Sequence, residues 1–229
     1  LQLQIAINEY IEVCNVYRKD QAYLVRLLCK DITVNSGKSM RILLNSEVIT
    51  RAVYSHLSHV VSKGWSEGKI DRGSDKIDIR NCFPYWLTKG SSKLNNVSIN
   101  NERVVILTAP NASGKTSIIR CVAATVLLVN CGFFAPAESI TLPDIDNVLI
   151  RLPGSDRPTQ GLSSFEAEVT DIQSIIERIS KKTLVCFDEI CRSTCPQEGY
   201  AIAQSIVEYL TRQKCYCIFS THFLQLPVM

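Results

Sequence analysis

The apolar positions of this chain follow one pattern before about Val104 and another after it. From Leu1 to about Lys30, Ile7, Ile11, Cys14, Tyr17, Leu24 and Leu28 recur at helical spacing with charges between them. That predicts an amphipathic helix, with Asp20 as its candidate interruption. Ser36-Gly37 followed by Met40-Arg-Ile-Leu-Leu44 predicts a turn and a short strand. Ser46 then reads as the N-cap of a helix to about Lys63, with Val48, Ile49, Ala52, Val53, Leu57 and Val60 on one side. His56 and His59 lie on or near it without any carboxylate–histidine pattern, so surface or packing roles are expected. Ser62 to Asp78, with Gly64, Gly68 and Gly73, reads as an exposed loop. Cys82-Phe-Pro-Tyr-Trp-Leu87 is a compact aromatic cluster suited to plugging a core, and Val97 to Ile99 predicts an edge strand before an Asn100-Asn101 turn.

Beyond Val104, strands and helices alternate. Val104 to Leu107 reads as a buried strand, Ser117 to Val129 as a helix, and Asn147 to Leu152 as a short strand before a Pro153-Gly-Ser-Asp156 turn. Phe165 to Ile179 is amphipathic, with Val169, Ile172, Ile175, Ile176 and Ile179 inward. Thr183 to Phe187 and Cys215 to Phe219 are fully apolar strands, with a helix from Glu198 to Leu210 between them. The alternation predicts an α/β fold, a mainly parallel sheet with helices on both faces, preceded by a short helical segment.

Composition narrows the class. A length of 229 residues suits one large domain or a domain with an appendage, and 46% hydrophobic with 21% charged residues argues against disorder. The net charge of +3 gives no nucleic-acid or membrane footprint by itself. No apolar run reaches the roughly 18 residues of a spanning helix. Ten cysteines are scattered, mostly in apolar runs such as those of Cys121, Cys131 and Cys186. Cys191/Cys195 and Cys215/Cys217 lack a matching second pair at zinc-ligand spacing. Buried reduced thiols in an intracellular, reducing compartment are the expectation. Because the chain begins at Leu1 rather than a methionine, it is expected to be a piece of something longer.

The chemistry concentrates at Ala109-Pro110-Asn111-Ala112-Ser113-Gly114-Lys115-Thr116, continued by Ser117. A strand before this stretch and a helix after it give the context of a phosphate-binding loop. Backbone N–H groups there favour an anion, Lys115 suits the β- and γ-phosphates of ATP, and the Thr116 hydroxyl suits Mg²⁺. Ala109 stands where the first glycine is usual, which matters only if that position needs a positive φ. The strand Thr183 to Phe187 ends in Asp188-Glu189, where open α/β sheets place their chemistry. Asp188 suits Mg²⁺ and Glu189 suits polarising a water. His222 ends a third strand, placed for a γ-phosphate. The aromatic faces of the Cys82-Phe-Pro-Tyr-Trp-Leu87 cluster, just before the loop's strand, offer an alternative use as a stacking platform for an adenine, by analogy only.

These motifs together resemble the ATPase domain of the MutS mismatch-recognition family. Ala109 to Thr116 is similar to its G-P-N-x-x-G-K-[ST], Cys131-Gly-Phe-Phe-Ala-Pro-Ala-Glu138 to its G-x-x-V-P-A segment, and Ser163-Ser-Phe-Glu-Ala-Glu168 to its S-T-F-x-x-E. Asp188-Glu-Ile-Cys-Arg192 is similar to D-E-[IL]-x-R, and Ser220-Thr-His-Phe223 to [AS]-T-H-[FY]. The resemblance is firm over about residues 97–226, and Pro84-Tyr-Trp86 among others resembles the plant-type organellar members. It implies an ABC-type P-loop NTPase, with 1–65 a helical lever or connector and 66–229 the ATPase domain, the family's C-terminal dimerising segment lying outside. It implies Asn111, Lys115 and Thr116 at phosphate and Mg²⁺, Asp188 at the metal, Glu189 at the water, His222 at the γ-phosphate, and Ser163 reaching the nucleotide of the opposite subunit. It further implies ATP and Mg²⁺ as cofactors, and mismatched duplex DNA, a second MutS-type subunit and downstream repair proteins as partners. A mitochondrial or plastid location follows by resemblance, and no membrane association. Ser193 departs from the glycine of D-E-x-x-R-G-T. Two alternatives stay open: a nucleotide-binding or dimerisation module that does not turn over, and another ABC-type ATPase. Transporter-like members carry L-S-G-G-Q where this chain has Gly161-Leu-Ser-Ser-Phe165, which disfavours them.

Overall fold

The computed structural model describes residues 2–100, 102–153, 164–192 and 194–226. The chain divides into two units, 1–57 and 58–229.

The first unit is helix throughout. Helix α1 runs without a break over Gln2–Lys63, 62 residues, so neither the interruption near Asp20 nor the turn and strand near Gly37 and Met40 exists. A five-residue apolar run does not separate strand from helix by periodicity, and Met, Arg and Leu are strong helix formers. Gly37 costs such a helix only about 1 kcal/mol, too little to break it. Polar side chains bond back into the helix instead of capping it: Thr33 Oγ1 donates to Cys29 O at 2.7 Å and Thr50 Oγ1 to Ser46 O at 2.7 Å. Ser46 is therefore an interior residue. No helix among the described residues is long and apolar enough to cross a membrane.

The second unit is α/β and holds two four-stranded sheets. The first is mixed and takes the order β1-β5-β2-β3, from β1 (Gly68–Ile70), β2 (Ile77–Cys82), β3 (Asn95–Ile99) and β5 (Ser139–Leu142). The second is parallel throughout, in the order β4-β8-β7-β6, from β4 (Val104–Leu107), β6 (Asn147–Arg151), β7 (Thr183–Asp188) and β8 (Tyr216–Ser220). Helix α2 (Lys115–Asn130) lies against both: its Ile119, Val122 and Val126 share one core with Ile79 and Leu142 of the mixed sheet and with Leu184, Cys186 and Ile218 of the parallel one. The alternate residues Val185, Phe187, Cys217 and Phe219 face α3 (Ser164–Ile176) and α4 (Pro196–Gln213) through Ile172, Ala203 and Leu210. Period-two alternation thus loads both faces of β7 and β8 with apolar side chains.

The predicted second half is found, with two exceptions: Val169, expected inward on α3, is exposed, and β4 is not fully buried. It is half-buried because β8 alone pairs with it among the described residues. Of the mixed sheet, the edge strand β3 was predicted, as Val97 to Ile99, and the other three strands were not. Ser62 to Asp78, expected as loop, contains β1 and the start of β2. Gly68 is there for space rather than for a turn: a Cβ on it would lie 2.3 Å from Val129 Cγ2 on α2. Gly68→Ala is expected to cost about 1–3 kcal/mol through overpacking, read as a lowered urea midpoint at unchanged slope. A midpoint equal to the parent's would show that Val129 yields freely.

All ten cysteines are free thiols. Cys121, Cys186, Cys191, Cys215 and Cys217 are buried as expected, whereas Cys131, at the C-terminus of α2, is exposed. Burial pushes the Cys186 thiol up to about 12 and that of Cys215 up to about 11, so both stay protonated and inert.

Candidate phosphate-binding site

Register places the site. Leu107 of β4 pairs with Ser220 of β8, and Ser220 pairs with Asp188 of β7, so three strands end at one level. The backbone ties continue past the strands, with Glu189 N–H donating to Ser220 O at 3.0 Å and Thr221 N–H to Leu107 O at 3.0 Å. The loop from Ala109 leaves β4 at this edge and enters α2.

Gly114 sits just ahead of α2 with φ 98°, a conformation that glycine adopts without strain, and no side chain caps the helix. The first-turn N–H groups of α2 are therefore left to an anion, with the helix dipole adding to their pull. Ala112 also has positive φ, at 62°, while Ala109 does not. The missing first glycine therefore costs no backbone strain. A cavity of about 360 Å³ is lined by Asn111, Ala112, Ser113, Gly114, Lys115, Thr116, Ser117, Glu189 and Arg192.

Lys115 is 7% exposed and folds back over the loop, donating to Ala109 O at 2.6 Å and Pro110 O at 3.2 Å. Its ammonium also lies 3.2 Å from Glu189 Oε1. Arg192 holds the other carboxylate oxygen of Glu189 at 2.6 Å. Glu189 itself takes φ 49°, a left-handed conformation that is uncommon for a side chain of this size. Asp188 is 1% exposed and bonded at both oxygens: Thr116 Oγ1 donates to Oδ2 at 2.6 Å and Ser220 Oγ to Oδ1 at 2.7 Å. A buried carboxylate beside a threonine hydroxyl is an all-oxygen donor set that fits a hard cation such as Mg²⁺, which binds few protein ligands and completes its shell with phosphate and water.

A second cavity, about 280 Å³, adjoins the first and shares Ser113, Gly114 and Ser117 with it. Pro84 and Leu87 are among its other lining residues. The aromatic cluster is split by this arrangement. Phe83 is fully buried and is the plug, whereas Tyr85 and Trp86 are exposed and stack edge to face on each other with centroids 4.8 Å apart. Neither aromatic ring lines the cavity.

Of the residues singled out in the sequence, the loop 109–117, Asp188 and Glu189 come together. His222 follows the buried Thr221 at the same sheet edge and is exposed, its ring 4.2 Å from that of Phe223. Ser163 and Ser193 lie outside the described residues. Sequence reasoning missed the work of Ser220 and Arg192. Both stand inside quoted motifs, but only strand register and loop conformation reveal which side chain meets which carboxylate.

Comparison with known proteins gives a consistent picture. Residues 105–229 match the family model described as MutS domain V. The chain is similar to the DNA mismatch repair protein MSH1, mitochondrial, of Arabidopsis thaliana, with 30% identity over 96% of this chain and 21% of that protein. It is 31% identical to the DNA mismatch repair protein MutS of Clostridioides difficile over 82% of this chain and 20% of that protein. Against the DNA mismatch repair protein spellchecker 1 of Drosophila melanogaster the identity is 40%, over 52% of this chain and 13% of that protein. The chain thus spans about a fifth of the length of the first two relatives.

Proposed function

We propose that this chain, which belongs to the MutS family through its domain V, is an ABC-type P-loop ATPase domain whose nucleotide cycle switches a longer mismatch-repair protein between states on DNA. The observation that carries this reading is the convergence of the 109–117 loop, Asp188 and Glu189 at one edge of a parallel sheet. In this reading residues 1–65 are a lever and 66–229 the ATPase domain.

The site residues divide the work. Asn111, the backbone of Ala112 to Ser117 and the α2 N-terminus receive the phosphates. Thr116 and Asp188 hold Mg²⁺, which neutralises charge on the transferring phosphoryl group. Lys115 exchanges its pairing with Glu189 for the β- and γ-phosphates, and that exchange releases Glu189 Oε1 to orient the attacking water. His222 contacts the γ-phosphate side. Pro84 and Leu87, rather than the rings of Tyr85 and Trp86, offer apolar surface to an adenine in the adjoining cavity. Ala109 supports a non-hydrolysing module poorly, since it carries no strain. A mitochondrial setting is supported by the name of the Arabidopsis relative. Mismatched duplex DNA, a second MutS-type subunit and downstream repair proteins are the partners this reading assigns to the longer protein.

Ser163 completes the reading. As a residue acting across a dimer, it makes each site composite. Subunit mixing tests this: a Lys115→Ala subunit is paired with a Ser163→Ala subunit in full-length heterodimers. If Ser163 acts across the interface, both lesions fall in one site and about half of the parental ATPase persists. Activity no greater than in either mutant homodimer, with one intact nucleotide site still absent by titration, would refute the composite site.

A further inference from the structure

The backbone of Cys191 is held on both sides, at its N–H and at its C=O. Glu168 on α3 is 6% exposed, and its Oε1 accepts the Cys191 N–H at 3.0 Å across 23 positions of chain. On the other side Cys191 O lies so close to α4 that a Cβ on Gly199 would approach it to 2.6 Å. Helix α3 is in turn fixed to the parallel sheet by Arg151 at the end of β6, whose Nε lies 3.1 Å from Asp171 Oδ2, one turn beyond Glu168. Between these anchors runs the short segment from Asp188 to Arg192. It is held in an unusual shape, since Glu189 has φ 49° and Cys191 φ 65°, both left-handed and neither glycine. Conformations of this kind persist only where the surroundings over-determine them.

Glu168 does not line the phosphate cavity, and nothing in the ATPase reading uses it. It is nonetheless an expensive residue to keep. A carboxyl group is buried, one oxygen serves a single backbone N–H, and the other, Oε2, has no partner among the described residues. A residue serving packing alone needs no carboxylate there. We propose that Glu168 is a positioning residue for Glu189: by holding the Cys191 N–H it locks the left-handed backbone that aims the Glu189 carboxylate at Lys115 and the phosphate cavity. The inference rests on the ATPase reading for its consequence, but its geometry is a property of the chain itself.

The experiment compares Glu168→Ala with Glu168→Gln in the full-length protein, with two readouts. The first is amide hydrogen exchange of the peptide spanning Leu184 to Arg192 without nucleotide. Exchange there is expected to accelerate roughly tenfold or more in Glu168→Ala, the order of effect of losing a charge-assisted hydrogen bond. Glu168→Gln retains an acceptor oxygen and is expected to restore most of the protection. The second readout is steady-state ATP hydrolysis, in which Glu168→Ala is expected to lower kcat about tenfold or more at an ATP KM within twofold of the parent. Faster exchange without any change in kcat would overturn the positioning role. Unchanged exchange would overturn the clamp itself. A parent protein that hydrolyses no ATP would instead overturn the ATPase reading and leave the exchange result to judge the clamp. If Glu168→Ala loses global protection along with the 184–192 peptide, Gly199→Ala serves as the second variant, pushing on the carbonyl of the same residue from α4. It is expected to reproduce the kcat loss at near-constant KM, and a parental kcat from it would count against the proposal.

Discussion

Glu189→Gln is expected to bind ATP and keep it, while single-turnover hydrolysis falls by about 10²–10⁴, the usual range for removing a group that handles the proton of the attacking water. The amide preserves the shape of the side chain and its place in the left-handed turn. It loses the charge that pairs with Lys115 at 3.2 Å and with Arg192 at 2.6 Å. Losing that pairing frees the Lys115 ammonium for phosphate, so affinity is expected to hold or improve even as turnover collapses. Filter binding and rapid quench in a dimeric protein separate the two quantities. Near-parental hydrolysis would remove Glu189 from the mechanism.

Lys115→Ala is expected to show the opposite behaviour. Charge-assisted hydrogen bonds contribute about 1.5–3 kcal/mol each, so losing the lysine is expected to weaken ATP by roughly 10–150-fold. Folding is expected to survive, because among the described residues Lys115 bonds only to Ala109 O, Pro110 O and Glu189, and the buried Asp188 keeps Thr116 and Ser220. A variant that unfolds would show instead that the ammonium holds the loop together.

The parallel half of the fold was readable because its strands are apolar on both faces and its helices amphipathic, so period and length agree. The same clarity extended to the site: Gly114, Lys115 and Thr116 have a fixed spacing, and Asp188 and Glu189 sit at the end of a run whose burial is unmistakable. The rest of the mixed sheet, beyond its edge strand β3, was hidden for a physical reason. Its strands β1 and β5 are three and four residues long, and their stability comes from pairing partners 72 positions apart, Gly68 with Ile140, which no local pattern encodes. Helix α1 was misread at Ser36-Gly37, where a local breaker signal of about 1 kcal/mol met a long run of helix formers and lost. Of the aromatic stretch, Phe83 is the core plug that was expected, whereas Tyr85 and Trp86 turn out to solvent and Pro84 and Leu87 help line the cavity. Ser220 and Glu168 act through strand register and a long-range backbone bond, which motif spacing does not carry.

The central claim is that the loop 109–117 and the carboxylates ending β7 form one Mg²⁺–ATP site. Its most direct test is calorimetric titration of ATP into this chain with and without Mg²⁺, beside Asp188→Asn. One saturable site per chain is predicted, tightened by Mg²⁺ in the parent and insensitive to Mg²⁺ in Asp188→Asn, which lacks the anionic oxygen that faces Thr116. No saturable binding, or an equal response to Mg²⁺ in both proteins, would contradict the account.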